Sequence, residues 1–265
     1  MRKAFIQTVS QLASKNNKIQ VLLGDISVFA FKKNNQLPPN IYNMGILEQS
    51  MVAFGAGLSA EGYFPIVHTI SPFIIERAFE QIKVNFCLNN LPGILITVGG
   101  VCDYYSLGRT HHCPNDMSII STLPNIEFAC PKNEESLIKI IKDAVSKKRL
   151  IYIRLTENFL NLELNKKNSI NRKPVCHLYC GEYIRDKLEN KNVDRIYIDS
   201  SLELKKYKWN YKEIHVFEPS VGASFSNRLR KFFNGKILSN HLNLDGTKLA
   251  KNSFVKTRRA YEYKN

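Results

Sequence analysis

Apolar runs of strand length alternate with helix-length segments through the first 155 residues, and that alternation restricts the chain to few folds. Residues 1–15 set Phe5, Val9 and Leu12 on one face, the spacing of an amphipathic helix. Residues 19–23 read as a buried strand that stops at Gly24-Asp25. A loop with two prolines over 34–40, a helix rich in small residues over 45–60 and a strand over 64–69 follow. The cycle repeats with a long amphipathic helix over 73–88, an apolar strand over 93–98 and a loop over 99–114. A short helix over 116–122, a strand over 126–130, a helix over 133–147 and a strand over 150–155 complete it. Strands separated by helices predict an α/β fold, a parallel sheet with helices on both faces. Ligands of such sheets bind beyond the carboxyl ends of the strands. Gly24-Asp25 and the loop from Gly99 fall at such ends.

A polar, basic stretch over 163–174 reads as a linker between a first domain, 1–162, and a second, 175–265. In the second, 195–199 and 214–217 predict strands, 201–207 and 225–233 predict helices, and the last 20 residues form a polar tail. This predicts a small additional α/β domain. The formal net charge is +15, and from Asn161 onward 22 Lys and Arg stand against 11 Asp and Glu. No nucleic-acid-binding motif accompanies the excess, so it predicts solvated basic faces and no nucleic-acid partner. Six cysteines show no disulfide framework, and Cys176-His177 with Cys180 lacks the second ligand pair that zinc needs, so no metal site is expected in the chain itself. No apolar run approaches the ~20 residues of a membrane span. No secretory apolar segment follows Met1-Arg2-Lys3. A reducing, cytoplasmic setting without membrane contact is expected.

The chemistry-bearing stretch begins at Met44-Gly45-Ile46-Leu47-Glu48-Gln49-Ser50, which carries a carboxylate into the start of the small-residue helix, a place the helix dipole favours. Downstream come Phe73-Ile74-Ile75-Glu76-Arg77-Ala78-Phe79-Glu80-Gln81-Ile82, then Gly108-Arg109-Thr110-His111-His112, then Leu123-Pro124-Asn125. In this order and spacing the segments resemble the pyrimidine-binding domain of transketolases and 1-deoxyxylulose-5-phosphate synthases, over about residues 25–155. The resemblance implies thiamine diphosphate lying across an interface, its diphosphate and Mg²⁺ held by another domain and its aminopyrimidine held by this one. It implies that Glu48 hydrogen-bonds the pyrimidine ring nitrogen and favours the imino tautomer, a general acid–base role. Phe73 and Phe79 would then meet the ring, and Asp25 would lie near the cofactor and the dimer interface. His111, with His112 beside it, would orient or protonate substrate oxygens. The second domain would correspond to an abbreviated transketolase C-terminal domain.

The sequence also departs from that family. Its diphosphate-binding domain, with a Gly-Asp-Gly metal motif, has no counterpart in the 265 residues. The resemblance therefore implies a separate diphosphate-binding subunit, of transketolase N-terminal type, in a two-plus-two heterotetramer. Gly99 and Leu107 stand where family members carry a His and an acidic group that recognise sugar hydroxyls. Asp103, Tyr104 and Tyr105 fill the loop instead and predict a different acceptor pocket. Thr156 and Glu157 stand where an Arg grips the sugar phosphate. Neither reproduces a bidentate guanidinium, which leaves Arg77 or Arg154 to compensate.

The expected function is the pyrimidine-binding subunit of a two-chain, transketolase-like transferase. It would move a two-carbon unit to an aldehyde or keto-sugar acceptor, nucleotide-linked in the most specialised version. Two alternatives stay open: the beta subunit of a 2-oxoacid dehydrogenase-type complex, and a non-catalytic regulatory subunit, of which loss of Glu48 would have been the expected mark.

Overall fold

The computed structural model describes residues 1–100, 103–156, 168–170, 173–181 and 192–242. The first part of the chain runs α1 (Arg2–Lys15), β1 (Ile19–Leu23), α2 (Val28–Phe31), β2 (Ile41–Asn43), α3 (Glu48–Ala60), β3 (Phe64–Ile70), α4 (Ser71–Ile75) and α5 (Phe79–Gln81). A π-helical turn (Ile82–Cys87) leads to β4 (Gly93–Val98), α6 (Asp116–Ser121), β5 (Glu127–Ala129), α7 (Glu134–Ser146) and β6 (Leu150–Arg154). A second group follows: β7 (Val175–Cys180), β8 (Asp194–Ile198), a 3₁₀ turn (Ser201–Lys206), β9 (Glu213–Val221), α8 (Phe225–Leu229) and β10 (Lys236–Leu242). Among the described residues, no helix is long and apolar enough to cross a membrane.

Among the described residues every strand pair is parallel. The larger sheet has the order β2-β1-β3-β4-β6-β5 and the smaller one β10-β9-β7-β8. The chain moves outward from β1 to β2 and then back across to β3, so strand order reverses between β1 and β3. A crevice opens at the carboxyl ends of strands at such a reversal.

Side chains alternate between the two faces of each strand. Ile19, Val21 and Leu23 of β1, with Ile66, Ile94 and Ile96, pack against α1 and α7. Leu22, Val67, Leu95 and Tyr152 enter the opposite cluster with Met51 and Val52 of α3 and Ile74 and Ile75 of α4. That cluster does not stop at the first sheet. It runs on through Cys176, Leu178, Ile196, Val216 and Phe225, so the two sheets share one apolar interior. Phe128 and Phe225 meet edge to face at 4.9 Å across the junction, and Ser118 Oγ donates to the Val221 carbonyl at 2.9 Å.

The helix expected over 73–88 is broken into α4, α5 and the π turn. Fully buried Ile74, Ala78, Ile82 and Phe86 recur every four positions, with Ile75 and Cys87 buried beside the first and last. At 3.6 residues per turn each such step overshoots by about 40°, so a straight helix would carry Phe86 off the buried face. The break at 76–78 and the wider π turn restore alignment. Three strands also went unrecognised in the sequence, β2, β7 and β10. Cys176, His177 and Cys180, weighed above as metal ligands, lie on β7 and are buried. Most of the expected linker and the polar tail lie outside the described residues.

One buried polar network ties these parts together. Asp116, at the start of α6 and fully buried, accepts from Arg154 Nη1 at 2.7 Å, from Tyr152 Oη at 2.8 Å and from Ser71 Oγ at 3.2 Å. Burial first, and then the Asp116 charge, push the Tyr152 phenol upward, so it stays a donor. Arg154 Nη2 donates to the Pro219 carbonyl of β9 at 2.7 Å. The expectation that Arg154 reaches a substrate is therefore corrected. Its side chain has no solvent exposure and its charge is matched by Asp116. Removing one member of a buried pair strands the other. Asp116→Asn is expected to cost about 3–5 kcal/mol in urea unfolding, and Asp116→Asn with Arg154→Met clearly less.

Candidate active site

The connections that lie beyond the carboxyl ends of β1, β3 and β4 are constrained in conformation. Gly45 turns the chain into α3 with φ of 72°, a conformation that L side chains rarely adopt. Asn43 Oδ1 braces this turn by accepting from the Gly45 N–H at 3.3 Å and the Asp25 N–H at 3.1 Å. Glu48 is then the first residue of α3, where the positive end of the helix favours a carboxylate.

The Glu48 carboxylate is 1% exposed. Its Oε2 accepts from Arg77 Nη1 at 2.5 Å and its Oε1 from Thr69 Oγ1 at 3.4 Å. The Arg77 guanidinium lies over the Phe73 ring, 4.6 Å from its centroid. Phe73 in turn meets the His111 ring edge to face at 5.1 Å. Four side chains from α3, from α4, from the break after it and from the 3₁₀ turn Arg109–His111 thus form one contact chain: Glu48, Arg77, Phe73, His111. Phe73 is held in place because Ser71, two residues earlier, is anchored to Asp116 and lies 3.0 Å from Tyr152 Oη.

The loop after β4 is shaped by close packing. At Gly99, with φ of 82°, a Cβ would lie 2.9 Å from the Tyr104 ring, and at Gly100 it would lie 2.9 Å from Thr156. Asp103 Oδ2 accepts from the Gly100 N–H at 2.9 Å, and its Oδ1 accepts from Thr156 Oγ1 at 2.9 Å. Thr156, which stands where an arginine was anticipated, is buried and braces this loop. Tyr104 reaches the rim of the site, 6.4 Å from the His111 ring. Tyr105 opens the 3₁₀ turn Tyr105–Leu107.

The remaining sequence candidates are distributed as follows. His112 is buried and donates Nε2–H to the Tyr104 carbonyl at 3.1 Å; burial first lowers its pKa, so it is a neutral loop support. Arg77, expected to compensate for a missing phosphate grip, instead has its guanidinium on Glu48 and Phe73. Phe79 is half-buried against the main core. Asp25 is exposed, with φ of 56°, and accepts from Asn43 Nδ2 at 3.1 Å. It lines a cavity of about 890 Å³ with Arg2, Ser27, Phe29 and Asn43, whose walls include none of Glu48, Arg77, Phe73 or His111. Sequence reasoning missed Thr69, Asn43, Asp116 and Tyr152. Each is an ordinary polar residue with a partner at least 18 positions away, so no local pattern marks it.

His68, next to Thr69 on β3, was also unmarked. It is fully buried, with Nε2 at 2.8 Å from Ser27 Oγ and Nδ1 donating to the Ile96 carbonyl at 3.0 Å. Burial foremost, opposed by the Ile96 bond and aided by Arg2, lowers its pKa to about 4. The folded state therefore binds fewer protons than the unfolded one between the ordinary value of 6.5 and about 4. This contribution is fully present above pH 6.5 and is lost as pH falls toward 4, by up to about 3 kcal/mol. Unfolding free energy measured across that range is expected to fall more steeply for the native protein than for His68→Gln.

Comparison with known proteins gives these features a family setting. Residues 1–162 match the family model described as transketolase, pyrimidine binding domain. The chain is 36% identical over 147 residues to 1-deoxy-D-xylulose-5-phosphate synthase 1 of Geobacter sulfurreducens, covering 54% of this chain and 22% of that protein. It is 34% identical over 120 residues to an apulose-4-phosphate transketolase subunit of Actinobacillus succinogenes, covering 45% and 39%. It thus spans well under half of either relative. A solved chain described as split gene transketolase, inactive beta4 tetramer, superposes with a TM-score of 0.73 at 20% identity, covering 98% of this chain and 92% of that one. The α/β fold is the one that chain has, and by its first 162 residues this protein belongs to the transketolase pyrimidine-binding family.

Proposed function

We propose that this chain is the pyrimidine-binding subunit of a two-chain, thiamine diphosphate-dependent transferase of transketolase type. The observation that carries the reading is the Glu48 carboxylate, buried at a helix start, joined by Arg77 to the Phe73 face and through Phe73 to His111. A flat nitrogen heterocycle asks for this donor set: an acidic group for a ring nitrogen, an aromatic face, and restricted water. The residues present therefore fit the aminopyrimidine of the cofactor. When bound, thiamine diphosphate supplies the carbon nucleophile and the electron sink.

The residues of this chain do the rest. Glu48 shares a proton with a ring nitrogen through its carboxylate. Phe73 presents its face to the ring. His111 has Nδ1 3.0 Å from Thr110 Oγ1, which leaves Nε2 to meet substrate oxygens. Asp103, taken up by its own loop, shapes the acceptor pocket through Gly100 and Tyr104.

One feature favours a second subunit. Ile46 and Leu47, just before Glu48, are 65% and 60% exposed, and Phe54 of α3 is also exposed. An apolar strip beside a buried acid is a surface suited to association. In this reading the diphosphate and Mg²⁺ sit on the other subunit, in a two-plus-two assembly. The donor is a ketose or 2-oxoacid, and the acceptor is an aldehyde or keto sugar, nucleotide-linked in its most specialised form.

Calorimetric titration of thiamine diphosphate with Mg²⁺ into this chain mixed with a diphosphate-binding transketolase subunit tests the reading. Binding in the mixture is expected. Glu48→Gln should preserve assembly while lowering turnover by roughly two to four orders of magnitude. A stable complex that binds no cofactor would sink the proposal.

A further inference from the structure

The groups meant to receive the aminopyrimidine are engaged by a neighbour. The Arg77 guanidinium carbon lies over Phe73, 4.6 Å from the ring centroid, while Nη1 donates to Glu48 at 2.5 Å. A guanidinium is a planar N–C–N group with N–H donors on its edge, and it stacks on aromatic faces. An aminopyrimidine offers the same elements: a flat ring, an amino donor and a ring nitrogen able to share a proton with a carboxylate. Resting on the proposed function above, we propose that Arg77 is an internal occupant of the ring site. It holds Phe73 and Glu48 in the lone chain and yields both when the cofactor enters.

Three further observations suit an occupant that leaves. Glu48 is 1% exposed but Arg77 is 42% exposed, so the guanidinium sits at the mouth and the carboxylate beneath it. Moving the arginine outward returns its charge to water, whereas a bare buried carboxylate would be costly. Arg77 also belongs to neither helix. It lies in the break between α4 and α5, where its N–H reaches back only to the Pro72 carbonyl at 3.3 Å. Rotation there need not unwind a helix. Finally, among the described residues Glu48's other hydrogen bond comes from the Thr69 hydroxyl at 3.4 Å, too long to replace the arginine.

Two consequences follow. The lone subunit keeps its acid satisfied and stable while closed to thiamine. Cofactor binding is an exchange of one planar donor for another, and the assembly must supply the difference through its contacts to the diphosphate and to the chain.

The test uses the isolated full chain and thiamine itself, which lacks the diphosphate and so needs no second subunit. Arg77→Met, checked for folding by circular dichroism, is expected to bind thiamine at least about tenfold more tightly than the native chain, the factor an occupant present nine-tenths of the time imposes. Adding Glu48→Gln should abolish the gain. Arg77→Lys, which keeps the charge but cannot stack as a plane, should show a smaller gain and serves if the methionine variant does not fold. Thiamine is itself a cation, so loss of any nearby positive charge would favour it; a gain in Arg77→Met with none in the charge-keeping Arg77→Lys therefore also overturns the proposal. Equal thiamine binding by native, Arg77→Met and Arg77→Lys chains overturns the proposal, and if thiamine diphosphate still binds the assembled native complex, the parent reading survives. Failure of that complex to bind thiamine diphosphate would overturn both.

Discussion

A single buried carboxylate sets the arrangement of this molecule. Asp116 gathers a guanidinium from β6, a phenol from the same strand and a hydroxyl from the start of α4. Each bond lies in a low-dielectric interior, where a satisfied network is rigid and a broken one expensive. Because Ser71 leads directly into Phe73, the network fixes the aromatic face of the candidate site without touching it. Because Arg154 also reaches Pro219, the same network registers the second sheet against the first.

Much of the fold was legible in the sequence because apolar spacing and strand pairing obey the same geometry. Ile19–Leu23 and Gly93–Val98 appear as strands at the expected positions, and the helix expected over 133–147 appears as Glu134–Ser146, capped by Asn133 accepting from the Ser136 N–H at 2.9 Å. What escaped notice did so for physical reasons. On β7, Cys176, Leu178 and Cys180 enter the core, but His177 and Tyr179 on the other face are buried too, so the polar–apolar alternation of a half-exposed strand never appears. The long helix after Phe73 looked continuous because a four-residue repeat lies close to the ordinary helical period.

The site was legible in part. The order of motifs brought Glu48, Phe73 and His111 to notice together, and they do converge. Arg154 was misread because a charged residue in an apolar strand suits a ligand or a buried counter-ion equally well, and Asp116 stands 38 residues away in sequence. Arg77 shows the opposite limit: its residue type suggested phosphate, and only its neighbours reveal that it faces a carboxylate and a ring.

The link from Arg154 to Pro219 spans 65 positions, and that from Ser118 to Val221 spans 103. Order during synthesis therefore matters. When the larger sheet has left the ribosome, the Pro219 and Val221 carbonyls that take Arg154 Nη2 and Ser118 Oγ are still unmade, and Phe128 of β5 lacks its partner Phe225. Contacts of such sequence separation form late and slowly. The nascent chain must carry an unfinished face through this interval, and its exposure to aggregation ends only when β9 arrives.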